Sequence, residues 1–489
     1  MIRISGLFRL AVFISGVACA SAASATAGYF MLGYGAKSMG MAGAVVSNPQ
    51  DSIAAASNPA GMALVGERVD AGMRFFSPVR EAEISTSAYG ATFDVDDKSR
   101  RNLFLIPNIG FTRHINDRMS WGFTVFGNGG LNSTYDRNIF DETFVVFGAY
   151  GQGGAAAAAT VPEGLTTPFA LAPGPANANI GTLGVDLAQS IQALSLAFRA
   201  NDAHTIGASL LVGVQRFSAR GLGNFQCFTT TVATNPGGNP DCPTTGVATT
   251  PSPYLTNNNS DWSYGAGVRV GWIGEVTPSL TLGASVASKI YMTEFDDYKE
   301  LFAEQGDLDI PANFALSATV KATPKLNLSF DFQRILYEGV NSISNPGPVA
   351  SPGGPTIPPG SGPLGMDNGL GFGWEDTNVY RIGFDYQHDS NWTFRAGYAY
   401  NDQTIPDDQV LFNILAPAVI RHHATVGFTF RPNSNSEWNF AYMHAIEDEV
   451  STPASAFSVT PGGPLTPVDV PAEISMYQNS LDISYSYKF

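Results

Sequence analysis

Leu481-Asp482-Ile483-Ser484-Tyr485-Ser486-Tyr487-Lys488-Phe489 closes the chain, and its reading decides the fold. Leu481, Ile483, Tyr485, Tyr487 and Phe489 alternate with Asp482, Ser484, Ser486 and Lys488. A pleated strand sends successive side chains to opposite faces, so one face of this segment is apolar and the other polar. The same alternation sets Tyr380, Ile382, Phe384 and Tyr386 against Arg381, Gly383 and Asp385. It sets Trp392, Phe394, Tyr398 and Tyr400 against Thr393, Arg395 and Gly397, and Leu326, Leu328, Phe330 and Phe332 against Asn327, Ser329, Asp331 and Gln333. The pattern persists for about ten residues at a time, longer than most strands of water-soluble proteins.

Working outward, the periodicity predicts strands near 69–78, 102–113, 119–130, 186–200, 204–221, 261–276 and 280–295. A second set falls near 311–323, 326–339, 377–389, 392–402, 420–431, 437–449 and 477–489. About fourteen strands is an even number, as single-chain bacterial barrels require. Tight turns at Asn116-Asp117-Arg118, Asn201-Asp202, Pro278-Ser279, Pro324-Lys325, Asp389-Ser390-Asn391 and Asn433-Ser434-Asn435 alternate with long connections near 79–101, 131–185, 222–260, 296–310, 340–376, 403–419 and 450–476. Short turns on one side and long loops on the other is the asymmetry of an outer-membrane β-barrel. Lipid offers no partner to a free N–H or C=O, so the sheet must close. The expected fold is all-β, a transmembrane antiparallel barrel over 69–489 with a polar lumen of Gly, Ser, Thr, Asn and a few charges.

Composition agrees. Only 14% of the 489 residues are charged, 11% are aromatic, 52 are glycine, and the net charge is −16, which excludes a basic nucleic-acid footprint. Arg3 and Arg9 precede an apolar run from Leu10 to Ala18 and a small-residue stretch ending Ala25-Thr26-Ala27, which reads as a signal peptide over 1–27, cleaved after Ala25 or Ala27. Cys19 is not read as a lipidation site, because Gly16 stands where a lipobox carries Leu. Cys227 and Cys242 share one Pro/Gly/Thr-rich segment of an exported chain; they form either a local disulfide or two unpaired thiols. A bond would close a loop of about 15 residues and stabilise it by roughly 3 kcal/mol.

Residues 28–68 break the strand pattern. Gly28-Tyr29-Phe30-Met31 leads into small residues through Ala54-Ala55-Ala56 and then Asn58-Pro59-Ala60-Gly61. Such a segment, uncharged between Lys37 and Asp51, is a poor solvated linker, and about fourteen strands leave a lumen wide enough to hold it. An internal plug is expected.

At this point the residues match a known family. Gly33-Tyr34-Gly35-Ala36-Lys37-Ser38 and Asn58-Pro59-Ala60 resemble the N-terminal hatch of the FadL-type outer-membrane transporters for long-chain fatty acids and other hydrophobic compounds. Gly184-Val185-Asp186-Leu187, Phe295-Asp296-Asp297-Tyr298, Leu301-Phe302-Ala303-Glu304-Gln305-Gly306, Asp309-Ile310-Pro311-Ala312 and Phe412-Asn413-Ile414-Leu415-Ala416-Pro417 extend the resemblance across nearly the whole mature chain. The resemblance implies a monomeric barrel blocked by its hatch, with passive diffusion of a hydrophobic small molecule. Substrate enters a groove among the extracellular loops, passes to an inner pocket, and leaves through a side opening at a kink in the third strand when the hatch N-terminus (Gly28, Tyr29, Phe30) shifts. The family setting also implies outer-membrane lipid and lipopolysaccharide as surroundings and the barrel assembly machinery as a biogenesis partner.

In the third strand Gly127-Asn128-Gly129-Gly130 interrupts the alternation, which marks either the bend for that opening or an ordinary strand end. Family members often carry a Pro-Phe-Gly-like sequence there. The following long connection is unusually apolar; Phe144, Phe147 and Phe169 line either an entrance groove or loop-on-loop contacts. Arg269, Arg381 and Arg395, with Arg199 and Arg431, sit on inward faces, where each pairs either with a ligand carboxylate or with a lumen acid such as Asp331 or Asp385. His422 and His423 are adjacent on a strand and point to opposite faces, so they do not chelate one metal, and nothing points to a metal, a cofactor or a catalytic motif. The competing functions are uptake of aromatic hydrocarbons, an outer-membrane phospholipase with dispersed residues, and a water-filled porin.

Overall fold

The computed structural model describes residues 27–88, 91–140, 182–233, 252–351, 354–452 and 472–489. Strands run over Arg68–Ala88 (β1), Phe104–Asn116 (β2), Met119–Asn132 (β3), Gly184–Arg199 (β4), His204–Arg220 (β5), Asp261–Thr277 (β6) and Leu280–Ala287 (β7). They continue over Asn313–Thr323 (β8), Leu326–Ile335 (β9), Thr377–Gln387 (β10), Trp392–Asn401 (β11), His422–Phe430 (β12), Ser436–Ser451 (β13) and Ala472–Lys488 (β14). Each pairs antiparallel with its neighbours, and β1 also pairs with β14 from Arg68↔Lys488 to Ile84↔Ala472, which closes the barrel. Two short strands, Ala91–Lys98 on β1 and Tyr291–Met292 on β6, are additions to this wall.

The outward faces carry Leu194, Leu196 and Phe198 on β4, Ile206, Leu210 and Val212 on β5, and Val268 and Val270 on β6, all exposed. An aromatic belt rims the short-turn end: Trp392 lies 4.8 Å from Phe430, and Trp438 lies 4.9 Å from Tyr485. No helix among the described residues is long and apolar enough to cross a membrane.

Three predicted boundaries shift. The connection expected at 79–101 is largely strand, since β1 runs to Ala88 and pairs with Ala91–Lys98. Glu81 and Glu83 disguised it, because a strand that has left the lipid no longer needs an apolar outer face, while Arg80 is buried inward against the Asn132 carbonyl and Ser99. The strands expected at 280–295 and 326–339 end at Ala287 and Ile335; a 3-10 turn at Tyr337–Gly339 follows the latter.

Residues 27–67 lie against the inner wall. Asn58 caps a 3-10 turn over Pro59–Ala63 by accepting the Ala60 N–H at 3.1 Å, with Pro59 at the first position, where its missing donor costs nothing. Its Nδ2 donates to Val46 and Trp272 carbonyls at 2.9 and 3.1 Å. Asp331 accepts the Val45 and Val46 N–H groups at 3.0 Å each, and Asp70 accepts the Ser52 N–H at 2.9 Å. Arg74, paired with Asp482 at 2.8 Å, donates to the Gly33 carbonyl at 2.6 Å.

The lumen glycines mark where this backbone touches the wall. A Cβ on Gly207 would come within 2.4 Å of Ala60 N, and one on Gly397 within 2.4 Å of Met41 C and 2.6 Å of Ala42 N. Because the obstructing atoms are backbone, a side chain there must displace the segment. Gly397→Ala is expected to lower the stability of the folded barrel by about 1–3 kcal/mol, whereas Gly339→Ala, with nothing within 4 Å of its Cβ, leaves it unchanged or raised. Thermal unfolding of the two purified variants checks this; equal stability would contradict the packing.

Candidate functional site: a gap in the wall and the segment that fills it

The β2–β3 ladder stops at Ile109↔Val125, although β2 runs back to Phe104 and β3 on to Asn132. Two features in the chain cause this. Pro107 has no N–H to donate, so it is tolerated only where the strand has a free edge, here the edge toward β3; on its other side it pairs with Met73 of β1. Opposite it, the β3–β4 register shifts between Gly127 and Gly129, leaving Asn128 as the extra residue of a bulge that bends β3 away.

The N-terminus of the internal segment occupies this gap. Phe30 forms an antiparallel bridge with Gly129, and the Met31 N–H donates to the Asn128 carbonyl at 3.0 Å. The Asn128 side chain accepts from the Tyr34 hydroxyl at 3.3 Å and donates to Gln189 at 3.1 Å. A Cβ on Gly127 would meet Ile106 at 2.6 Å and Met31 at 3.2 Å. Met31, Phe76, Phe104 and Ile106 form one apolar cluster here.

Above the gap, the long loops bring aromatic rings together. Ring centroids are 5.0 Å apart for Phe412–Phe372, 6.4 Å for Phe372–Trp374, 5.2 Å for Trp374–Tyr337 and 6.0 Å for Tyr337–Phe30. Asn413 fixes the Trp374 ring, accepting its N–H at 2.6 Å while donating to the Phe372 and Gln409 carbonyls. Tyr337 holds the internal segment: its hydroxyl accepts the Tyr29 N–H at 3.2 Å and donates to the Ala27 carbonyl at 2.6 Å. Burial drives this phenol well above its ordinary pKa, so it remains a donor. Gly28, at φ +59°, sits so close to this hydroxyl that a Cβ would approach it to 2.3 Å.

The expected inward arginines separate into three situations. Arg395 donates to Gln50 and Thr429 near the short-turn end of the lumen. Arg381 donates to Gln333 at 2.6 Å, and its register partner Asp331 already accepts from Val45, Val46 and Ser317. Arg269 is buried on β6 with no hydrogen bond or ion pair among the described residues.

Phe144, Phe147 and Phe169 lie outside the described residues, as do the Cys227–Cys242 pairing and the segment 1–26. His423 is buried and His422 is within 2.6 Å of the Tyr398 hydroxyl on the other face; no metal-binding group occurs among the described residues. Sequence reasoning missed Pro107, Ile106, Tyr337 and Trp374. Pro107 carried a readable signal, a proline inside a strand pattern, whereas Tyr337 and Trp374 meet only through the loop fold.

The model of one family, described as outer membrane protein transport protein (OMPP1/FadL/TodX), matches residues 16–145 and 152–489. A 72-residue stretch is 31% identical to the long-chain fatty acid transport protein of Escherichia coli O6:H1 (strain CFT073), covering 15% of this chain and 16% of that protein. Among solved structures, the Pseudomonas putida toluene transporter TodX aligns at TM-score 0.57 and 18% identity over 94% of this chain and 99% of that one. A Pseudomonas aeruginosa FadL homologue aligns at TM-score 0.58 and 16% identity over 95% and 100%.

Replacing Tyr337 by Phe leaves the buried Tyr29 N–H without its partner and takes one of two donors from the Ala27 carbonyl, which keeps the Phe30 N–H at 3.2 Å, a cost of about 1–3 kcal/mol. Tyr337→Phe is expected to free the segment's N-terminus, read as faster proteolysis at residues 27–31 in an intact barrel. Cleavage at the wild-type rate would contradict it.

Proposed function

This chain belongs to the OMPP1/FadL/TodX family of outer-membrane transport proteins, and from that premise we propose that it admits hydrophobic molecules bearing a carboxylate, long-chain fatty acids first among them. It is a transport channel of the outer membrane and not an enzyme. The observation that carries the reading is the unbroken aromatic path from Phe412 through Phe372, Trp374 and Tyr337 to Phe30, which ends where the wall has no ladder. Residues 28–68 act as the hatch. When Gly28, Tyr29 and Phe30 move, the bridge to Gly129 opens and a solute in the lumen meets the gap at Gly127–Gly130, from which it passes sideways into lipid. Diffusion drives the passage, since an apolar solute is stabilised by roughly 0.8 kcal/mol for each CH₂ it moves from water into hydrocarbon.

The carboxylate part rests on Arg269. A buried guanidinium without a partner is unfavourable, and an incoming carboxylate supplies two acceptors in matching geometry. Arg269 and Arg381 face the lumen against the hatch: a Cβ on Gly43 would lie 3.2 Å from Arg381, and the next inward residue of β6 after Arg269, Gly271, abuts Asn58. The competing reading, transport of a monoaromatic hydrocarbon, is supported by the fold likeness to a toluene transporter and makes no use of these charges.

Uptake of labelled oleate by cells lacking their own fatty-acid transporter separates the two. This protein is expected to restore it, and Arg269→Met to reduce it about tenfold, the size of one charged hydrogen bond, while toluene uptake is unaffected. Equal loss for both solutes would assign Arg269 a structural role, and rescue of toluene uptake alone would overturn the carboxylate reading.

A further inference from the structure

Lys37 belongs to the segment quoted above for its resemblance to the family's hatch, yet the transport path does not use it. It lies at the opposite end of the lumen, against a cavity of about 210 Å³ whose rim includes the turn residues Pro324 and Lys325. Six cations line this cavity: Lys37, Arg68, Lys325, Arg395, Arg431 and Lys488. The acids of the lining are Glu437 and Asp385.

One carboxylate therefore serves many partners. Glu437 contacts Lys37 at 2.5 Å, Lys488 at 2.6 Å, and Arg68 and Arg431 at 3.0 Å each. Arg68 is further matched by Asp70 at 2.7 Å. Arg395 hydrogen-bonds only to the neutral Gln50 and Thr429, with Asp385 opposite it in the β10–β11 register, and Lys325 hydrogen-bonds only to the His388 carbonyl. Lys37, Arg68 and Arg395 are each more than nine-tenths buried. In a chain whose net charge is −16, six cations against Glu437, Asp385, Asp70 and the nearby Asp51 leave a local excess of positive charge in a partly desolvated recess.

We propose that this cavity at the short-turn mouth is a binding site for a small oxyanion of the phosphate or carboxylate class. Arginine forks and lysine ammonium groups directed into one recess match tetrahedral or planar oxygen sets. The anion would touch Lys37 and Gln50 of the internal segment together with Lys325, Arg395 and Arg431 of the wall, and so tie the two. The inference does not depend on the carboxylate-transport reading, because its residues lie apart from Arg269 and the wall gap.

The test is titration of the detergent-solubilised mature protein with inorganic phosphate, with acetate as the second arm and sodium chloride at matched ionic strength as the reference. Saturable heat at millimolar phosphate or acetate, with a rise in unfolding temperature, is expected, and the stronger of the two arms identifies the oxyanion. Lys325→Gln combined with Arg431→Gln should weaken it about tenfold. Glu437→Gln, which removes the resident carboxylate, should tighten it if the barrel assembles; the double variant decides the matter if it does not. No saturable heat with either anion, or equal affinity in the wild type and the double variant, would overturn the proposal.

Discussion

A strand in hydrocarbon must find a partner for every N–H and C=O, and the rest of this structure depends on that constraint. It forces β1 onto β14 and fixes the register around the wall. It also makes any interruption a built feature. The β2–β3 ladder ends at Ile109↔Val125 because Pro107 cannot donate and Asn128 bulges out, and on β3 the backbone at Asn128 and Gly129 is met from inside by Met31 and Phe30. The segment that lies in the lumen is thus the same one that pairs with the interrupted wall, and the proposed lateral exit rests on its first residues moving.

The lumen is arranged in layers along its axis. Toward the loops lies an aromatic chain that ends on Tyr29 and Phe30. Next come Arg269 and Arg381, then the small residues that let the internal backbone sit against Gly207 and Gly397, and at the short turns the cation-lined cavity. Each layer uses a different interaction, and Arg74 and Arg80 carry charge up to the gap itself, against Met31 and Phe104.

The barrel was readable from period-2 segments such as Leu481–Phe489, because lipid on one side and polar contents on the other impose strict alternation. Where the lipid ends, the signal ends: Arg80–Glu83 reads as loop and folds as strand. The lumen glycines were visible as a small-residue inner face, while their reason, the approach of Ala60 or Met41 at a particular height, was not. The bulge was legible at Gly127–Gly130, and Pro107 would have sharpened it. Tyr337 and Trp374 meet Tyr29 across more than 300 residues of chain, which local pattern does not encode, and neither does it encode that Arg269 lacks a hydrogen-bond partner among the described residues.

Asn128 gives the most direct access to the central claim, that cargo leaves through the interruption of the wall. Deleting this one residue removes the bulge and lets β3 run straight beside β4 toward β2. Uptake of labelled oleate should then fall to background in a barrel that still assembles, as judged by its heat-modifiable mobility on gels. Undiminished uptake through the straightened wall would contradict the account.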